Sequence, residues 1–145
     1  MQSTASDITR AVLQQMDGDK IILASPATDY QIHLVCNGPT AVHVGKRIQG
    51  VIYVKALRMH KASAGGSFIE PIYGHPRVVQ GRVVAIDLAQ NKLLCEVVVP
   101  MWVEPFDGQS AADFNVGDMV NFYAQSGATF TPVAYVCGVS RAYSQ

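Results

Sequence analysis

Apolar and polar positions alternate along much of the chain. Between residues 46 and 56, Ile48, Gly50, Ile52, Val54 and Ala56 hold one parity and Arg47, Gln49, Val51, Tyr53 and Lys55 the other, the period of a strand with one buried face. Leu57 and Met59 then shift the apolar parity, as one extra residue in a bulge does. Residues 20–25 and 30–37 flank Pro26-Ala27-Thr28-Asp29, which predicts a hairpin with a four-residue loop. A short apolar run covers 41–44. Two valine-rich runs, 77–88 and 92–99, surround Ala89-Gln90-Asn91 and predict a second hairpin, with Gly81 marking a bend and 101–104 extending its second strand past Pro100. Residues 110–114 suit one short helical turn. Asn115-Val116-Gly117-Asp118 then launches a strand at 119–124 with Val120, Phe122 and Ala124 inward, and a last strand is expected at 133–139.

Only residues 6–17 read as a helix. Ser6 suits an N-cap, Asp7 complements the first turn, Ile8, Val12, Leu13 and Met16 recur at helical spacing, and Gly18 ends the element. Its expected role is to cover a sheet edge or an open end, the alternative being to dock on another subunit. No internal repeat is legible. The longest irregular stretch is 62–76, a length at which loops are usually functional or mobile.

Composition agrees with a mostly β chain: Val and Ile number 28 against 7 Leu, and β-branched residues suit a pleated surface. The expectation is an all-β, single-domain protein of 145 residues: a small closed or partly open antiparallel barrel of six or seven strands with one N-terminal helix. Charged residues are only 15% of the chain and apolar ones 49%, which excludes a disordered chain. There is no membrane-length apolar run and no signal-like start, so a cytoplasmic protein with no membrane partner is expected. Cys36, Cys95 and Cys137 are dispersed among apolar neighbours and read as reduced buried thiols.

The order from Val79-Gln80-Gly81-Arg82-Val83-Val84-Ala85-Ile86-Asp87, through an antiparallel partner and a short helical segment, to Phe114-Asn115-Val116-Gly117-Asp118-Met119-Val120 resembles oligonucleotide/oligosaccharide-binding (OB) barrels. This resemblance covers about a third of the chain and implies an OB-like fold. It transfers no binding residue. The whole sequence also resembles small bacterial β-barrel proteins, which bring no chemistry with them.

Formal net charge is zero, so no global field favours a polyanion. The distribution is uneven, however. Lys46, Arg47, Lys55, Arg58, Lys61, Arg77 and Arg82 fall within 46–82 against one acid, Glu70, leaving +6 there and −6 elsewhere. With Tyr53, Phe68 and Tyr73 in the same segment, these residues could bind single-stranded nucleic acid, cations meeting phosphates and rings stacking on bases. Nucleic acid is nevertheless the alternative partner. The favoured reading is a non-catalytic barrel that self-associates or joins an assembly, because so few charges leave apolar surface exposed.

No Walker loop, dinucleotide fingerprint or nucleophile elbow is present. His33 and Cys36 would lie on opposite strand faces, so with His43 they lack metal-site spacing, and neither metal nor cofactor is expected. Gly65-Gly66 reads as a flexible tip that could present amides to an anion. His60, Glu70 and His75 could converge around the long loop as an acid–base or metal cluster, the third and least favoured reading.

Overall fold

The computed structural model describes residues 6–133; the strand expected at 133–139 falls almost entirely outside them, as does Cys137. Eleven strands form one mixed sheet: β1 (Thr9–Asp17), β2 (Lys20–Ala24), β3 (Gln31–Cys36), β4 (Arg47–Lys61), β5 (Phe68–Glu70), β6 (Tyr73–Gly74), β7 (Val78–Asp87), β8 (Lys92–Glu96), β9 (Pro100–Glu104), β10 (Met119–Ala124) and β11 (Thr129–Pro132). A 3-10 turn at Ala111–Asp113 precedes β10, capped reciprocally by Ser110 and Asp113. Both predicted hairpins form, as β2–β3 and β7–β8.

The N-terminal helix expected at 6–17 is not there: residues 9–17 form β1. Thr9, Ala11 and Leu13 point inward in alternation, and β1 has β2 on one edge and β4 on the other. A helix this short is marginal in water, whereas as a strand the segment pairs with β2 along 12–17 and with β4 along 9–12. Residues 41–44 likewise form no strand; they lead into a turn with Val44 exposed and Gly45 at φ 93°. Residues 101–104 do not extend β8. They belong to β9, which folds back antiparallel on it, Glu96 opposite Pro100. The irregular 62–76 stretch contains β5, paired with β7, and β6, paired with β3.

β4 organises the molecule. Ile48, Gly50, Ile52, Val54, Ala56 and Met59 are its buried positions, and the parity change is a bulge: Met59 faces Phe122 and Ala56 faces Ala124, so Leu57 and Arg58 together oppose Tyr123. Along one edge β1 pairs with 47–50 and β9 with 53–55; along the other β11 pairs with 50–53 and β10 with 56–61.

These pairings close two five-strand circuits that share β4. The first runs β1–β2–β3–β11–β4 and back to β1; the second runs β7–β8–β9–β4–β10 and back to β7. Each has one parallel pair in the same place, β3–β11 and β9–β4. Each opening hairpin has a bulge at the same place, between Leu13 and Gln15 and between Val83 and Ala85. The glycine turns match as well. Gly45 N–H donates to Leu13 O (2.7 Å) and Leu13 N–H to Lys46 O (2.9 Å), while Gly117 N–H donates to Val83 O and Val83 N–H to Asp118 O, both at 2.8 Å. Lys20-Ile21-Ile22 and Val44-Gly45 recur at one offset as Lys92-Leu93-Leu94 and Val116-Gly117. The chain is therefore an internal repeat in structure, with the closing strands exchanged: β11, late in the second unit, closes the first circuit, and the far half of β4 closes the second.

One contiguous buried cluster fills both circuits, with Leu13, Leu34, Ile52, Val79, Leu93, Met101, Phe122 and Phe130 among its members. Two glycines mark close approaches. A methyl on Gly50 would collide with the Phe130 ring and lie 2.5 Å from Thr131 O; one on Gly81 would lie 2.5 Å from Val97 Cγ2. Gly81 is thus a packing contact rather than only a bend.

Candidate functional site

The basic segment does not fold into one groove. β4 alone extends up to about 45 Å at strand rise, and Arg47 and Lys61 stand at its opposite ends. Several members are already engaged. Lys61 Nζ lies 3.6 Å from Asp118 Oδ2, and Arg82 Nη1 donates to Gly117 O at 2.6 Å; both brace the turn into β10. Lys55 stands beside Glu104 in register, with no ion pair between them. Tyr53 donates its hydroxyl to Glu104 Oε1 (3.0 Å), and burial together with that carboxylate pushes the phenol up to about 12. Tyr73 packs edge-on against His33 on β3, with ring centroids 4.5 Å apart.

The outer side of β8, β9 and β4 holds a small second cluster of Ala85, Leu94 and Trp102, flanked by Val51, Tyr53 and Val84. Trp102 is only 2% exposed. Its Nε1 donates to Asp7 Oδ2 (3.0 Å), and Lys92 Nζ sits 4.4 Å above its ring. The equivalent side of β2 and β3 carries Ile22, which is buried, and His33, against which Tyr73 and His75 pack. Burial and the neighbouring His75 lower the His33 pKa below 6.5. Among the described residues, His33 Nε2 is buried with no hydrogen-bond partner.

The remaining open face crosses β4, β10, β7 and β5. Register aligns His60, Asn121, Gln80 and Phe68 in one row directed away from the core, in which Gln80 is itself buried against the 64–66 segment. Asn121 Nδ2 donates to Gln80 Oε1 (3.0 Å), and Gln80 Nε2 donates to Gly66 O (2.9 Å). The Gly65-Gly66 tip is therefore fastened to the sheet through a carbonyl, an arrangement different from a free anion-binding loop. The adjacent row is Leu57 and Arg58, Tyr123, Val78 and Glu70. Tyr123 is 63% exposed and Leu57 37%. Beyond Glu70 lies an open hollow of about 520 Å³ lined by Glu70, Pro71, Ile72, Arg77 and Val78, with Ile72 exposed.

Of the sequence candidates, this face gathers Arg58, Phe68, Arg77 and Arg82, and leaves Arg47, Tyr53, Lys55 and Tyr73 elsewhere. Tyr123 was missed, although the inward parity of Val120 and Phe122 already turns it outward. His60, Glu70 and His75 do not converge. His60 and Glu70 lie on strands three steps apart, about 14 Å at sheet spacing, and His75 packs on His33 at 5.5 Å between ring centroids. Cys36 turns to Gly38, its Sγ 3.4 Å from the carbonyl oxygen. Among the described residues no three His, Cys, Asp or Glu side chains gather as a metal site, and no helix is long and apolar enough to cross a membrane. No family model matches the chain, and neither a curated protein nor a solved structure matches it.

Proposed function

We propose that this chain is a non-catalytic β-barrel protein of OB-like layout that acts by association, as a homo-oligomer or as a component of an assembly. The layout reading rests on the two five-strand circuits, whose mixed order corresponds to the five-stranded Greek-key ring of OB barrels. OB barrels take oligonucleotides and oligosaccharides on the face of their second and third strands. Here the corresponding positions are β2–β3 and β8–β9. The tryptophan that would stack a base is buried beneath Asp7 and Lys92, and His33 lies under Tyr73 and His75.

Association is supported by one observation above the rest. Leu57, Tyr123 and Ile72 stand exposed around a single sheet face, with Arg58, Arg77 and Glu70 around them, an apolar centre with a charged rim. Both circuits are closed, so among the described residues the free strand edges are those of the short β5 and β6, which lie outside the circuits. Light scattering on the pure protein over a range of concentrations tests the reading. A mass above the monomer is expected, and a clean monomer at high concentration refutes the homo-oligomer. Titration with a labelled single-stranded oligonucleotide at low salt tests the alternative, which requires binding that weakens steeply as salt is added.

A further inference from the structure

We infer that the partner on this face is a second copy of the chain, related by a two-fold axis that runs along the strands above the gap between β10 and β7. This rests on the association reading above. An isologous contact needs a surface complementary to itself, and the row Leu57 and Arg58, Tyr123, Val78, Glu70 has that property. Its ends carry opposite charges, and its middle is apolar. Among the described residues, neither Arg58 nor Glu70 makes an ion pair or a side-chain hydrogen bond within its own chain.

The row spans four strands, about 14 Å. Rotation about an axis parallel to the strands, lying between the two opposed faces at the row's midpoint, sets β4 of each copy over β5 of the other. Arg58 of one copy then meets Glu70 of the other, twice per dimer, and each Tyr123 meets the other copy's Val78. Leu57, which the bulge pushes outward, falls over the hollow bounded by Glu70, Pro71, Ile72, Arg77 and Val78. The bulge thus supplies the knob and the turn after β5 the hole. Had the charges at the two ends been alike, the same rotation would have set like against like and opposed the contact.

Sedimentation or light scattering on the full chain tests this with four variants, Tyr123→Glu, Arg58→Glu, Glu70→Arg and the double exchange R58E/E70R. Circular dichroism verifies that each is folded, and all three positions lie on the outside of the sheet. Tyr123→Glu is expected to give a monomer. Each single exchange creates two like-charge pairs and should weaken the dimer by about tenfold, while the double exchange should return it to within about threefold of the native protein. If Tyr123→Glu dissociates the protein but the charge exchanges change nothing or fail to compensate, the two-fold pairing is wrong and association through this face stands. If the native protein is itself a monomer at high concentration, the homo-oligomer falls, and this inference with it.

Discussion

Replacing Gly50 by alanine places one methyl group where the structure has no room for it. Gly50 sits where β4 is flanked by both β1 and β11, opposite Thr9 on one side and Pro132 on the other. Its backbone is extended, so alanine strains no dihedral. In the unfolded chain alanine has fewer conformations than glycine, which by itself stabilises by about 0.4–1 kcal/mol. Against this stands the collision with the Phe130 ring and with Thr131 O. Forcing a methyl into a packed core costs about 1–3 kcal/mol, and the upper half applies because one of the struck atoms is backbone and cannot rotate away. The net expectation is a loss of about 1–2 kcal/mol. With a urea slope of about 2 kcal/mol per molar, the midpoint falls by about 0.5–1 M. Gly66→Ala is the internal control, since a methyl there meets nothing within 4 Å, and it should leave the midpoint unchanged or slightly raised. A Gly50→Ala protein as stable as the native one would refute the account of how β11 seats on β4.

Two further outcomes follow from buried contacts. Trp102 is the single tryptophan, and its bond to buried Asp7 fastens the start of the chain across β9; Asp7→Ala should cost about 1.5–3 kcal/mol and shift the emission to the red, and an unshifted spectrum with unchanged stability would contradict it. Because the folded His33 pKa lies below its unfolded value of 6.5, the unfolded chain takes up its proton first as pH falls, so the stability His33 contributes is complete above pH 6.5 and is lost on acidification through the folded pKa. His75 and Tyr73 are the titratable rings that face it. Urea midpoints between pH 7 and pH 5 should therefore fall less in His33→Gln than in the native protein; parallel curves would remove His33 as the cause.

Much of this architecture is legible in the residues because one-sided burial imposes alternation. The inward face of β4, its bulge, both hairpins and the turn capped by Ser110 all follow from parity and turn chemistry. β1 is misread for a related reason: the bulge near Gln14 interrupts the period of two, so Val12 and Leu13 fall side by side and imitate a helical face. β9 is misread because Pro100 can begin a strand as readily as interrupt one. The internal repeat escapes notice because its two units share geometry more than side chains; Leu23 corresponds to Cys95, and only short pieces such as Val44-Gly45 and Val116-Gly117 coincide. The candidate face is assembled from β4, β5, β7 and β10, so proximity along the chain groups the wrong residues. Arg47 and Tyr53 are neighbours of Arg58 in sequence, whereas Tyr123 is its neighbour in space.

The exchange of closing strands also sets an order for events during synthesis. The circuit begun by β1, β2 and β3 is the first to emerge from the ribosome, yet it needs β11, whose Phe130 lies beside Cys36. The second circuit needs only β4, made well beforehand, and β10. The unit that begins first therefore closes last, and Cys36 and Ile52 stay without their Phe130 neighbour until nearly the whole described chain exists. Contacts so distant in sequence slow folding and prolong the exposure of apolar strands. A nascent chain arrested before β11 would carry a finished second ring and an open first one.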